Sequence, residues 1–272
     1  MAANVKILAT VPGMGDNRDM IEVRFLVDGN TVKYGLIYIG AFHDGWYKSD
    51  QVDTVILPDL PEEWTWVCIC SDHETGEPFV LNYHNNPPER EEVAVWHPNE
   101  FEYTDIEKIR QIRIDKQRKE DRMWIVQHPS MDKRCLMKIA EVPKFMDCVK
   151  RETDTYRVLE GSGIAPQFMG HVTEQGRVVG ILVEWIEDAE KPEIELDMEI
   201  VLDALSSLHE RGIVHKDPHM GNFLIKDNRV YIIDFEYARQ TNDPSEFNME
   251  IDRVLGQSSL WDSSPSSDHD ES

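Results

Sequence analysis

The chain has few cysteines and no long apolar run. Four cysteines in 272 residues are too few for a disulfide-stabilised fold, so a reducing compartment is expected. The first residues contain no apolar signal core, and no run approaches the roughly 20 apolar residues of a membrane-spanning helix. These absences predict a cytoplasmic protein, with a nuclear location left open, and exclude a secreted disulfide scaffold.

Basic residues are also scarce. Lys and Arg total 28 against 52 Asp and Glu, which gives a formal net charge of −24 and a pI near 4.7. Proteins meet nucleic-acid and lipid phosphates with Lys and Arg, so neither nucleic acid nor an anionic membrane is expected as a partner. The hydrophobic content of 40% is sufficient for a packed core in one large or two small domains.

Alternating apolar residues predict a small β module at the start of the chain. A pair of alternating segments flanks an Asp-Gly-Asn turn at 28–30, which is a strong hairpin signal. Strands are expected at 21–27, 32–38, 65–71 and 78–83. Turn-forming and helix-breaking residues at 84–90 are typical of a linker.

One group in this module has two interpretations. Cys68, Cys70 and His73 could form part of a zinc site, but no second ligand pair accompanies them. The alternation that begins at Trp64 and Trp66 and continues through the two cysteines is typical of one face of a strand. We favour the strand.

Oxygen-bearing side chains cluster around a predicted hairpin near the end of the chain. Residues 223–233 read as two short apolar strands joined by a polar turn, so Asn222 and Asp234 stand at its two ends and are expected to meet. Asp217 precedes the hairpin in a loop that Pro218 keeps from being helical. Two oxygen ligands for a hard divalent cation and one further carboxylate are the components of a phosphoryl-transfer site.

The same residues resemble two motifs of the protein-kinase-like superfamily. Residues 215–222 (HKDPHMGN) are similar to the catalytic loop, and residues 234–236 (DFE) are similar to the metal-binding triplet that usually ends in Gly. The resemblance implies that Asp217 is the base that orients an acceptor hydroxyl. It also implies that Asn222 and Asp234 hold Mg²⁺ on ATP.

A kinase-like site also needs a lysine on an upstream strand and a glutamate on the following helix. Residues 134–140 supply the strand and place Lys138 after an apolar run. The helical period over 144–160 puts Glu152 on the apolar stripe, where an unpaired carboxylate would cost several kcal/mol. We therefore predict that Lys138 and Glu152 form an ion pair near the phosphates.

Two further elements complete the predicted fold. A strand over 178–185 leads into a hinge, and the resemblance implies that its backbone near Glu184 and Trp185 meets the adenine of ATP. An amphipathic helix over 197–211 follows, and one more helix is expected near 244–255.

Three departures from the kinase pattern stand beside these matches. Residues 106–126 contain no glycine where a Gly-rich loop would cover the phosphates. Lys116, Arg118 or Lys119 in its charged turn would then contact phosphate, but we favour a solvated turn. Lys216 occupies a position that is Arg or Gly in many kinases, and Glu236 replaces the usual glycine.

The predicted fold class is α+β, a two-lobed protein-kinase-like fold with a β-rich N-lobe and a reduced helical C-lobe, preceded by the β module. The predicted domains are the accessory module 1–100, a minimal kinase-like domain 101–257 with lobes 101–185 and 186–257, and an acidic disordered tail 258–272. Two functions are open. One is an atypical kinase that transfers the γ-phosphate of ATP, with Mg²⁺, to a protein or small-molecule hydroxyl; the other is a pseudokinase that acts as a nucleotide-binding or scaffold protein.

Overall fold

A computed structural model describes residues 4–259, without the side chains of Ile194 and 257–259. The chain divides into two compact units. Unit 1 contains the chain up to Lys150 together with Met169–Trp185, and unit 2 contains Arg151–Phe168 together with the chain from Ile186 onward. Beyond Ser259 the predicted tail lies outside the described residues.

The first sheet of unit 1 has five strands in chain order. They are β1 Val5–Pro12, β2 Met20–Val27, β3 Thr31–Tyr38, β4 Trp66–Ser71 and β5 Pro78–His84. The strands β3 and β4 run parallel, and the other neighbours are antiparallel. The predicted hairpin is confirmed, because Val27 pairs with Thr31 and the turn contains Asp28 and Gly29 in left-handed conformations.

The second sheet of unit 1 has six strands in the order β6-β10-β11-β9-β8-β7. They are β6 Glu100–Glu102, β7 Glu107–Gln111, β8 Met123–Gln127, β9 Cys135–Ile139, β10 Phe168–Glu174 and β11 Arg177–Glu184. The helix α1, Met146–Leu159, follows β9. The strands predicted at 134–140 and 178–185 and the helix predicted at 144–160 are therefore confirmed, with Lys138 on β9 and Glu152 on α1.

The two sheets of unit 1 share apolar contacts. One cluster joins the first sheet to its connecting segments and contains the fully buried Phe25 and Trp46. A second cluster joins Val32 of β3 to Met137 of β9 and Leu182 of β11. Unit 1 therefore includes the predicted accessory module and the predicted N-lobe apart from Arg151–Phe168, and the predicted boundary at residue 100 lies inside it.

A buried ionic group reinforces this junction. Arg24 of β2 is fully buried and forms ion pairs with Asp121 and Glu174. Its guanidinium lies 4.1 Å from the ring centroid of Tyr103, whose hydroxyl donates to Asp121. Burial opposes the charge of Arg24, but the attraction led by Glu174 outweighs it and holds the arginine pKa above its ordinary value.

Replacing Arg24 with Met should lower the free energy of unfolding by about 3–5 kcal/mol, because the buried Glu174 loses this cation and the buried Asp121 keeps only its pair with Lys108. Urea denaturation followed by tryptophan fluorescence measures this. The exposed Arg18 provides the matched control, and Arg18→Met should change stability by less than about 0.5 kcal/mol. Equal losses in the two variants would contradict the role assigned to the buried network.

A buried histidine connects β10 to the segment before β6. The Nε2 atom of His171 accepts hydrogen bonds from the backbone N–H of Trp96 at 3.2 Å and of His97 at 3.4 Å. An imidazole nitrogen that accepts a hydrogen bond must be unprotonated. Burial, with a smaller contribution from His97, lowers the pKa of His171 to about 4.

This histidine predicts a loss of stability in mild acid. An unfolded histidine takes up a proton near pH 6.5, whereas folded His171 does so near pH 4. Its contribution is therefore present above pH 6.5 and is lost as the pH falls toward 4. Urea midpoints measured between pH 7 and 5 should fall less steeply in His171→Gln than in the wild type; parallel slopes would contradict the assignment.

Unit 2 is mainly helical and carries two short β ladders. Its elements after α1 are α2 Ile194–His209, β12 Ile213–Val214, β13 Phe223–Lys226, β14 Arg229–Ile232, β15 Arg239–Gln240 and α3 Pro244–Ser259. The helices predicted at 197–211 and 244–255 and the hairpin predicted at 223–233 are confirmed. Among residues 4–259, none of the helices combines the length and the apolar character that a membrane span requires.

Candidate active site

The β13–β14 hairpin brings the predicted oxygen-bearing residues of unit 2 to one end. The last strand pair is Phe223 with Ile232. The N–H of Ile233 then donates to the carbonyl of Asn222 at 2.9 Å, so Asp234 follows directly on from this closed end. The side-chain nitrogen of Asn222 donates to the backbone carbonyl of Asp217, also at 2.9 Å. This bond uses the amide N–H, so the amide oxygen is the atom that a cation would contact.

A neutral histidine links the catalytic-loop segment to the hairpin. The Nε2 atom of His215 lies 2.9 Å from the carbonyl of Ile233, and its Nδ1 accepts from the N–H of Asp217 at 3.4 Å. His215 is fully buried. Burial lowers its pKa despite the opposing influence of the Ile233 carbonyl and of nearby carboxylates that include Asp234 and Asp217. An uncharged imidazole therefore positions the backbone on both sides of the site.

The backbone at Asp234 is left-handed, with φ of 66°. A non-glycine residue pays about 1–3 kcal/mol for such a conformation, which persists only where the surrounding structure enforces it. The next residue, Phe235, is fully buried, with its ring centroid 5.3 Å from that of Tyr156 and 5.4 Å from that of His215. Packing of Phe235 thus fixes the direction in which Asp234 projects.

Two further carboxylates lie beside Asp234. One oxygen each from Glu152, Asp234 and Glu236 fall within 4.8 Å of one another, and both glutamates are buried. Burial, followed by the charges of Glu152 and Asp234, raises the pKa of the Tyr156 phenol well above its ordinary value. Oxygen donors of this kind suit Mg²⁺, so the set fits a divalent cation. The predicted ligands were Asn222 and Asp234, and the structure adds Glu152 and Glu236 as neighbours of Asp234.

The remaining predicted site residues lie in unit 1. Lys138 is buried on β9, where it pairs in register with Met123 and Ile181. Because Glu152 belongs to unit 2, the ion pair between it and Lys138 stays a prediction. The structure places a Glu152 oxygen within 4.8 Å of oxygens of Asp234 and Glu236, which the sequence does not predict.

The predicted hinge residues stand at the end of β11. The carboxylate of Glu184 accepts from Lys133 at 3.0 Å, and the Trp185 ring lies 5.8 Å from the guanidinium of Arg110. The N–H of Trp185 donates to the carbonyl of Arg134 at 3.3 Å. Contact of this segment with adenine stays a prediction.

The glycine-free turn between β7 and β8 is anchored by side-chain and backbone contacts, which differs from the solvated turn that the sequence favours. Arg118 donates to the buried Glu141 at 2.8 Å. Lys119 forms an ion pair with Asp53 at 3.1 Å, and its backbone carbonyl accepts from the N–H of Thr10 at 3.0 Å. The physical reason is the buried carboxylate of Glu141, which requires a cationic partner.

A residue of the last helix, not identified from the sequence, supports the catalytic-loop segment. The Glu250 carboxylate accepts hydrogen bonds from the N–H groups of His215 and Lys216 and contacts the His209 ring at 2.9 Å. Burial opposes its charge, but the hydrogen bond from His209 and those from the two N–H groups outweigh burial and lower the Glu250 pKa. The only available signal was a Glu on the helix predicted at 244–255, which does not reveal its partner.

Comparisons with known proteins found similarity to a protein family and to solved structures. Residues 175–259 match the family model described as lipopolysaccharide core biosynthesis protein (WaaY). The chain is also similar to a solved structure of the kinase PK-1 from Cydia pomonella granulovirus, with 16% sequence identity and a TM-score of 0.40. That alignment covers 51% of this chain and 54% of the viral chain, so it spans about half of each.

Proposed function

We propose that this chain is a protein-kinase-like protein, with a β-rich N-lobe and a reduced helical C-lobe, and that it acts as an ATP-dependent phosphotransferase on a hydroxyl group. The family-model match supports the general class, a kinase-like phosphotransferase. The observation that carries the specific proposal is the hairpin end, where Asn222 bonds to the backbone of Asp217 and to the residue before Asp234.

The proposed roles follow from the chemistry of each side chain. Asp217 orients the acceptor hydroxyl and receives its proton, while the oxygens of Asn222 and Asp234 hold Mg²⁺. When bound, Mg²⁺ would neutralise charge on the phosphates of ATP. Lys138, paired with Glu152, would contact the phosphates, and the backbone at Glu184 and Trp185 would contact adenine.

A nucleotide-binding pseudokinase or scaffold protein is the second candidate. The carboxylates beside Asp234 favour it. Glu152 and Glu236 add two buried carboxylates beside Asp234, and a cation held tightly by several acids is less available to phosphate. The glycine-free turn also lacks the close backbone approach that glycine permits. We favour the enzyme, because Asp217 and Asn222 keep both the residue types and the local contact that transfer requires.

The proposed setting is the cytoplasm. Within the described part of the chain, Cys68, Cys70, Cys135 and Cys148 form no disulfide, which suits a reducing compartment. With a net charge of −24, the partners that we propose are ATP and a protein or small-molecule acceptor, with neither nucleic acid nor membrane among them.

Replacing Asp217 with Asn should lower Mg-ATP turnover at least about 100-fold, because the amide cannot accept the hydroxyl proton. Phosphate release and autophosphorylation measure the transfer, and thermal stabilisation by Mg-ATP should persist because nucleotide binding does not need this carboxylate. The exposed hairpin-turn residue Asp227 offers a matched control, since Asn tolerates its left-handed backbone. Equal turnover in wild type and Asp217→Asn would defeat the enzymatic proposal.

Replacing Asp234 with Asn should act at a different step. The variant should lose the Mg²⁺-dependent part of the thermal stabilisation by ATP, because a charged oxygen ligand is removed and Asn still accepts a left-handed backbone. Differential scanning fluorimetry with ATP, with and without Mg²⁺, measures this. A metal-dependent shift of the same size as in wild type would show that the cation is held elsewhere.

A further inference from the structure

Lys216 adopts a left-handed backbone immediately before the proposed base. Its φ is 70°, a conformation that is unfavourable for a residue other than glycine. Asp217 follows directly, so the direction of its side chain depends on this peptide unit staying in place.

The helix α3 presents three charged residues to this loop from one face. Glu246, Glu250 and Arg253 are spaced four and three residues apart, which places them on the same side of a helix. The Glu250 carboxylate accepts from the N–H of Lys216 through one oxygen and from the N–H of His215, at 3.0 Å, through the other. The loop's N–H groups are thus bound to a buried carboxylate.

Arg253 holds the other side of the same residue. One guanidinium nitrogen donates to the carbonyl of Lys216 at 3.1 Å, and the other lies 3.8 Å from the carboxylate of Asp217. The ammonium of Lys216 forms an ion pair with Glu246 at 3.1 Å. Both peptide groups of Lys216 and its side chain therefore contact α3.

We propose that Arg253 completes a clamp of α3 on the catalytic loop: Glu250 holds the N–H side of Lys216, and the Arg253 guanidinium holds its carbonyl side, which keeps Lys216 left-handed and fixes the direction of Asp217. Arg253 is then a positioning residue for transfer. This inference rests on the proposed function only in naming Asp217 as the base; the clamp itself is a statement about the loop backbone.

Arg253 is the better residue to test. Its side chain is 58% exposed, so its removal should leave the fold intact, since exposed ion pairs contribute little to stability. Glu250 is buried and bonds to three partners, and its loss would destabilise unit 2 together with the loop.

The experiment measures loop order and turnover in the full chain. Hydrogen exchange at the Lys216 amide should become about tenfold faster in Arg253→Met, because a charge-assisted hydrogen bond next to that amide is lost. ATP hydrolysis, with water as acceptor, should show kcat about tenfold lower and KM for Mg-ATP within about twofold of wild type, since a displaced base impairs transfer and not binding. Arg253→Lys, which keeps a donor, should restore part of both.

Two further variants separate the clamp from other effects. Arg157→Met makes the same substitution at an exposed position on α1 and should change neither readout. Lys216→Gly allows a left-handed backbone without cost, so adding Arg253→Met to it should lower kcat by less than about twofold. This coupling would not arise if Arg253 acted only through stability.

The outcomes decide two claims separately. Unchanged exchange at Lys216 in Arg253→Met would overturn the clamp, and so would faster exchange with unchanged kcat in an active wild-type enzyme. A wild-type protein that hydrolyses no ATP would contradict the proposed function, and exchange at Lys216 would still decide whether α3 clamps the loop.

Discussion

The hydrogen bond from the N–H of Ile233 to the carbonyl of Asn222 is the constraint on which the candidate site depends. It closes the open end of the β13–β14 hairpin just beyond the last strand pair. The apolar pairing of Phe223 with Ile232, both fully buried, holds the two strands together. Because of this closure, Asn222 and Asp234 stand at the same end of the hairpin, although both strands separate them in the sequence.

Buried charge organises both units by the same physical rule. In unit 1, Arg24 is surrounded by the carboxylates of Asp121 and Glu174. In unit 2, the Glu250 carboxylate is satisfied by backbone N–H groups and the His209 ring. A buried charge costs several kcal/mol unless it is paired, so each one specifies the position of the segments that supply its partners. The buried carboxylates of Glu152 and Glu236 beside Asp234 would satisfy the same rule when a bound cation balances their charge.

The local elements could be predicted from the sequence because their signals are local. The turn at 28–30 and the apolar runs around 226–229 identified two hairpins, and the helical period placed Glu152 on α1. Long-range partners could not be predicted in this way. Arg24 alternates with Val23 and Phe25 and so reads as a solvent-facing residue, yet the second sheet covers that face. Arg253 and Glu250 are ordinary helix residues until the tertiary fold brings α3 against residues 215–217.

The most direct test of the transfer site is a crystal structure with an unhydrolysable ATP analogue and Mn²⁺ in place of Mg²⁺. The account predicts an anomalous peak about 2.1 Å from oxygens of Asn222 and Asp234, with the Asp217 carboxylate facing the γ-phosphate. A metal bound away from both residues, or Asp217 directed away from the nucleotide, would contradict it.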